Sequence, residues 1–290
     1  MTLRHFKIFV AVCDNMNMTA SAESLFISQS AVSQAIAELE KHYDVRLFER
    51  LSRKLYLTQA GEKLLSYARH IIKLNLEVEQ SMKALHENSL IRLGASVTIG
   101  TSVLPKLIST FKQLTPSTVI EVCEDNTQQI ERQILRDEID IALIEGEITS
   151  PDINSILFMD DELMLICSIS HRFALFSIID PQELEKENFI IREQGSGTRQ
   201  TFENMMTKNN LKWKATWTCN NADTIKMAVA EGHGISIISK RSVIHEVNYG
   251  LLCMKPIKGI DFKRQFKIIF HKNKYLTPQM KEFIDVCVKS

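Results

Sequence analysis

Two groups of polar residues in this 290-residue chain have types and spacing suited to holding a charged partner. The first is Gln29, Ser30, Ser33 and Gln34, on a segment that also carries Val32, Ile36 and Leu39 at i, i+4, i+7 spacing. Gln can pair bidentately with adenine, and Ser can donate to or accept from a base edge, so this face suits a helix lying in a major groove. Arg50, Arg53 and Lys54 follow in a short hairpin-like stretch, where they would hold phosphate or reach a minor groove. The same spacing equally fits an ordinary amphipathic helix. The second group is Glu193-Gln194-Gly195-Ser196-Gly197-Thr198-Arg199, between a strand-like run and a helix-like one. Its glycines let backbone N–H groups turn toward one point, the helix start adds partial positive charge, and Arg199 can clamp two oxygens. Ser96, Thr98 and Thr101 follow another strand-like run and could add hydroxyls to the same anion site, with Arg192 and Asn221 alongside. Arg199 could instead pair with Glu203 one turn on. Glu145 would repel an anion and accept from a donor, which keeps a neutral or aromatic ligand open.

The surrounding elements must position these groups. Leu3 to Cys13 reads as a helix. Thr19 or a neighbour would cap a second, packed through Ala20, Ala22, Leu25 and Phe26. Ser28 would cap a third, Gln29 to Glu40, by accepting from its free N–H groups. After Thr58 a long helix runs from Gln59 to about Glu87, with Leu57, Leu64, Ile71, Val78 and Leu85 seven apart and Ala68, Asn75 and Met82 in a second row. Such a seam predicts pairing with another helix, the alternative being burial against the chain's own core. His86 to Ser89 is a plausible boundary. From Leu90 short apolar runs alternate with amphipathic helices: strands at Ile91–Ala95, Val119–Cys123, Ile139–Ile144, Glu162–Cys167, Phe189–Arg192, Ile235–Ile238 and Phe266–Phe270. That alternation predicts a mostly parallel sheet with helices on both faces, and a ligand in the cleft beyond the strand ends.

Bulk properties narrow the function. Formal net charge is zero, and residues 1–60 hold seven cations against six anions, so phosphate neutralisation alone would give modest affinity. Six scattered cysteines, without a Cys-x-x-Cys pair or metal-ligand spacing, predict reduced thiols and no metal. No apolar run approaches the roughly 20 residues of a spanning helix, and no signal core follows Met1, which predicts a cytoplasmic chain with no membrane partner. Gly195-Ser196-Gly197 is not a nucleophile elbow, since Gln194 stands where glycine is needed. No third glycine makes it a dinucleotide fingerprint, and no Gly-Lys-Ser/Thr loop exists, so no cofactor is expected. His233, between glycines, reads as a loop residue. An enzyme of phosphate or sulfur chemistry and a solute-binding protein are the rival readings; the first ninety residues oppose both.

Those residues resemble the winged helix-turn-helix of LysR-type transcriptional regulators. Phe6, Phe9, Ala20, Ala22, Leu25, Ser28-Gln29-Ser30-Ala31-Val32-Ser33, Ile36, Leu39-Glu40, Leu47-Phe48-Glu49-Arg50 and Leu57-Thr58-Gln59-Ala60-Gly61 carry the match. Asn17-Met18-Thr19 and Tyr43-Asp44 depart from it. Leu104-Pro105, Phe111, Asp140-Ile141-Ala142, Asp161-Glu162-Leu163, His171 and Gly232-His233-Gly234-Ile235 resemble, more loosely, the periplasmic-binding-protein-like effector domain of that family. The resemblance implies an α/β chain with an N-terminal all-α winged helix-turn-helix (1–58), a long linker helix for dimerisation (59–88) and a two-subdomain α/β effector domain (89–290). Subdomain I would take about 89–162 and 266–290, and subdomain II about 163–265. It implies double-stranded DNA as partner at a partial inverted repeat, a homodimer or homotetramer, RNA polymerase, and a small effector in the cleft. Ser96 and Thr98 match positions that hold sulfur oxyanions in one branch of the family. The Gly-Ser-Gly-Thr-Arg segment resembles that of sensors of small anions or phosphorylated metabolites.

Overall fold

Three helices, α1 (Leu3–Asn15), α2 (Met18–Ser24) and α3 (Gln29–Tyr43), close around Phe6, Phe9, Val12, Ala22, Val32, Ile36 and Leu39. Asn17, not Thr19, caps α2: its Oδ1 accepts from the N–H groups of Thr19 and Ala20 at 2.8 and 3.1 Å. Ser28 caps α3 as expected, accepting from Ala31 N–H at 3.2 Å. Phe26 departs from the expected packing face. It sits at φ 55° and is 96% exposed, because the corner between the two helices needs a left-handed residue there. Leu25 and Ile27 on either side pack inward instead. Strands β1 (Phe48–Leu51) and β2 (Lys54–Leu57) form the antiparallel wing, with Phe48 opposite Leu57.

The computed structural model describes residues 1–51, 54–83 and 90–290, so Arg53, Leu85 and the boundary at 86–89 lie outside the described residues. The chain divides into one unit made chiefly of Met1–Glu87 and another made of most of the remainder. Helix α4 (Gln59–Lys83) splits its seven-residue row between two uses. Leu57, Leu64 and Ala68 pack into the N-terminal core, whereas Ile71, Leu74, Val78 and Met82 remain exposed. Only the upper half is open to another helix. Asn75 donates to Glu79 of its own helix at 2.8 Å. Among the described residues no helix is long and apolar enough to cross a membrane.

In the second unit the order is β3 (Leu90–Ser96), α5 (Val97–Ser102), α6 (Leu104–Leu114), β4 (Val119–Asp125), α7 (Thr127–Leu135) and β5 (Ile141–Glu145). There follow β6 (Ile153–Ser168), β7 (Asn188–Arg192), α8 (Gly197–Lys208), β8 (Lys214–Cys219), α9 (Ala222–Ala230) and β9 (Ser236–Ser239). Helix α10 (Lys240–Asn248), β10 (Leu252–Lys255), β11 (Phe262–His271) and α11 (Pro278–Val288) complete it. One seven-stranded sheet runs β10-β6-β11-β5-β3-β4, with β9 also on β6; β7 and β8 make a separate parallel pair.

The expected parallel sheet is mixed. Strands β4, β3 and β5 are parallel, but β11 lies antiparallel to β5 and β6, and β6 antiparallel to β9 and β10. Strand β6 is 16 residues long, and its first half, where exposed and half-buried positions intermix, extends the sheet beyond the expected Glu162–Cys167 and pairs antiparallel with β11. Ile156, Phe158 and Met159 of β6 pack on the core of Leu93, Phe111 and Phe283. Leu163, Leu165 and Cys167 belong to the core of Phe189, Phe202 and Ile237. Strand β11 does the same in reverse, with Phe262 in the second core and Phe266 and Ile268 in the first. Two crossing strands therefore join two hydrophobic cores, one per lobe.

Candidate functional site

Helix α3 presents Gln29, Ser30, Ser33 and Gln34 to solvent while Val32, Ala35, Ile36 and Leu39 are buried beneath them. The 3.6-residue period puts the two sets on opposite faces. Ser30 Oγ lies 2.9 Å from Ser28 Oγ, and Gln34 Nε2 donates to Glu38 Oε1 at 2.9 Å. His5 Nε2 meets the other Glu38 oxygen at 2.7 Å, and these two side-chain hydrogen bonds hold the Glu38 carboxyl below its usual range. Arg50 and Lys54 stand exposed on the wing strands. The apolar Phe26, at the corner leading into α3, shares the exposed surface, and no periodicity could have placed it there.

The second group comes together, but mostly on itself. Ser96 Oγ donates to Glu145 Oε2 and accepts from Glu145 N–H at 3.3 Å, both residues being buried. The stretch after Ser96, between the expected strand and the next helix, is itself helix α5. Thr101 Oγ1 there donates to Val97 O at 2.6 Å, so its hydroxyl serves its own helix and the side chain is exposed. Thr98 is buried. Gly195 O accepts from Gln128 N–H at 3.1 Å, and a Cβ on Gly197 would collide with the Glu145 carbonyl. Glycine is needed here for close approach of two loops as well as for turning N–H groups. Thr198 Oγ1 accepts from Arg264 Nη1 at 3.0 Å.

Arg199 is not free to clamp a ligand in this structure. Its Nε donates to Glu203 at 2.7 Å and its Nη1 to Arg192 O at 3.2 Å, the pairing that i, i+4 spacing allowed. Arg192 is itself held bidentately by Glu193 at 2.8 and 2.9 Å. Asn221 caps α9, accepting from Thr224 N–H at 2.8 Å, and donates to Asn220. Among the residues expected here, one group is left over. Ser196 stands at the cap position of α8 without making a cap bond, and its buried Oγ has no hydrogen-bond partner.

Two residues that sequence reasoning missed complete the site. Burial pushes the Glu124 carboxyl up, Arg192 pulls it back, and Glu145 pushes it further up. Arg264 reaches Thr198 from β11, 66 residues away, and no local pattern announces it. The arrangement sets donors at the start of α8 against two carboxylates, which suits a ligand with an anionic end and a hydroxyl-bearing end. The cysteines are free thiols; burial pushes Cys13, Cys167 and Cys287 up to about 12, and Cys167 stands opposite Cys253 across β6 and β10.

The family model of the LysR substrate binding domain matches residues 85–290, and that of bacterial regulatory helix-turn-helix proteins of the lysR family matches residues 3–62. The HTH-type transcriptional activator CmpR of a Synechocystis species is 32% identical over 98% of this chain and 94% of its own. A probable RuBisCO transcriptional regulator of a Nostoc species is 31% identical over 97% of this chain and 86% of its own. The regulatory domain of Synechocystis CcmR, solved in complex with 2-PG, superposes with a TM-score of 0.65 at 26% identity, over 70% of this chain and 97% of that one. These relatives are named as regulators, not as enzymes. Helix-turn-helix, two-lobed domain and matched families agree that the chain belongs to the LysR family, as a DNA-binding transcriptional regulator governed by a small-molecule effector.

Proposed function

We propose that the effector is a small anion held at the start of α8, with hydroxyls turned to Glu145 and Glu124. The unpartnered, buried Ser196 Oγ carries this reading: a polar atom out of water costs stability unless a partner arrives. Gly197 and Thr198 N–H groups and the helix dipole complement negative charge there, and Thr98 and Ser96 border the same space. The complex of the CcmR domain with 2-PG supports an acidic ligand class for the fold. Arg199 acts by holding the Arg192 carbonyl, not by touching ligand.

The reader of DNA is α3, with Gln29, Ser30, Ser33 and Gln34 on base edges and Arg50, Arg53 and Lys54 on backbone. The exposed half of the α4 seam pairs two copies, so that two recognition helices meet a partial inverted repeat. A dimer of such dimers, acting with RNA polymerase in the cytoplasm, completes the picture.

Thermal unfolding of the full chain with sulfate, thiosulfate, phosphate, phosphorylated sugars and 2-PG tests the effector class. A ligand at a hundred times its dissociation constant adds about 2.7 kcal/mol to the native state. One anion should raise the midpoint, and Ser196→Ala should remove the gain; no response from any anion would hand the site to a neutral or aromatic metabolite. Affinity should also rise as pH falls, because Glu124, whose pKa is raised, loses its charge first and stops repelling the anion. Glu124→Gln should flatten that profile.

A further inference from the structure

A cavity of about 1030 Å³ opens beside the crossing strands and is lined by α8, the start of α10, β11 and the middle of β6. It is large enough for a metabolite. None of Ser96, Thr98, Ser196 or Thr198 lines it. Its cations are Lys208, Lys240, Arg241, Lys263, Arg264 and Lys267, against the carboxylates of Glu147, Asp160, Asp161 and Glu162. The carboxylates are partly spent already. Asp161, almost fully buried, takes Arg264 Nε at 2.7 Å, Ser239 Oγ at 2.7 Å and Arg241 Nε at 3.7 Å. Glu147 meets Lys267 at 3.5 Å, and Asp160 accepts from Gln265 at 3.0 Å. Lys208 and Lys240 are exposed and make no ion pair among the described residues. A single carboxylate thus faces two guanidinium groups, with further positive charge around it.

Arg264 adds the second observation. Its side chain is 5% exposed, and its Nη2 has no hydrogen-bond partner although Nε and Nη1 are both engaged. A guanidinium presents its donors in one planar fork, so an oxygen acceptor would satisfy the remaining one. Nη1 of that group donates to Thr198 Oγ1 at 3.0 Å, at the start of α8.

We propose that this cavity is a second effector site, for an organic anion with two separated acidic groups, one on the Arg241–Arg264 pair and one on the lysines. An occupant that draws on Arg264 also changes how Thr198 is held, so the two sites are coupled, and by linkage each ligand alters affinity for the other. The coupling rests on the cleft reading above; occupancy of the cavity does not.

Isothermal titration of the full chain with fructose 1,6-bisphosphate, and separately with glutarate, tests it and distinguishes phosphate from carboxylate as the acidic group. At least one should bind, and Lys208→Gln with Lys240→Gln, both on exposed side chains, should weaken it about tenfold. Ser196→Ala should leave that binding unchanged. Binding that survives the double lysine change, or that Ser196→Ala abolishes, would assign the ligand elsewhere and overturn the proposal. So would silence from both probes in the unaltered chain whose circular dichroism and melting are normal. Adding the bound probe should then shift the affinity of whichever anion binds the cleft; if the cavity fills without that shift, the coupling fails and the site stands alone.

Discussion

The recognition helix and the effector cleft use the same kinds of side chain in opposite ways. On α3, Gln29, Ser30, Ser33 and Gln34 lie exposed on the face opposite the buried Val32, Ala35, Ile36 and Leu39, so they can meet a partner at little cost to the fold. In the cleft nearly every polar group already has a partner: Ser96 with Glu145, Arg192 with Glu193, Arg199 with Glu203, Thr198 with Arg264. A surface that reads DNA is a set of offered groups. The proposed effector cleft is a nearly closed network in which Ser196 Oγ and one nitrogen of Arg264 are left without partners. Substitutions in the first should alter binding and spare the fold, and substitutions in the second should do both.

The sharpest test of that contrast is Asp161→Ala. It strands Arg264 in a buried site, and loss of one partner of a buried pair costs about 3–5 kcal/mol; urea unfolding of the full chain reads it, and a loss under 1 kcal/mol would mean that solvent already screens the pair. Gly197→Ala comes next. Its methyl would meet the Glu145 carbonyl, and overpacking of this kind costs about 1–3 kcal/mol. Effector-induced stabilisation should vanish while affinity for operator DNA without effector is kept.

Gln34→Ala breaks the comparison from the other side. Binding to the operator should weaken by about 1–3 kcal/mol at a single base position, with unfolding free energy within about 0.5 kcal/mol of the parent. Lys54→Ala should weaken all sequences alike and lower the salt slope by about one; a base-specific loss there would make Lys54 a reader. The smallest effect belongs to Phe26. Asn tolerates the left-handed backbone at φ 55° better than Phe does, so Phe26→Asn should raise the unfolding free energy slightly, by less than about 1 kcal/mol. A fall instead would show that the exposed ring is covered in the intact assembly.

What could be read from the chain alone follows the same division. The N-terminal elements rest on contacts a few residues apart: Ser28 caps its own helix, and Val32, Ile36 and Leu39 define its buried face, so type and spacing sufficed. Phe26 escaped because burial was inferred from apolarity, while backbone handedness decided the matter. In the second unit the individual strands were legible and their pairing was not. In the outer half of β6 the apolar Ile156–Met159 stand between Asn154-Ser155 and Asp160-Asp161 with exposed and half-buried positions intermixed, so the strand was expected ten residues short. Arg199 was expected to face the ligand because its side chain can, but Glu203 one turn away supplies a partner inside the same helix. Arg264 and Glu124 could not be found, and Asp161 could be matched to the family but not to its partner, because these roles arise from pairings across 66 to 103 residues or from burial that only the tertiary fold creates.

The crossing of β6 and β11 also sets an order of events as the chain is made. The first lobe's core needs Phe266 and Ile268 from β11 and Met280 and Phe283 from α11, which emerge from the ribosome well after the other members of that core. Until then β6 lacks its central neighbour and offers an unpaired edge, while the N-terminal core around Phe9 and Leu39, built from residues 6–72, can already be closed. The part that grips DNA thus becomes competent well before the part that governs it. Synthesis itself imposes a delay between closing the helix-turn-helix core and closing the first lobe of the effector domain.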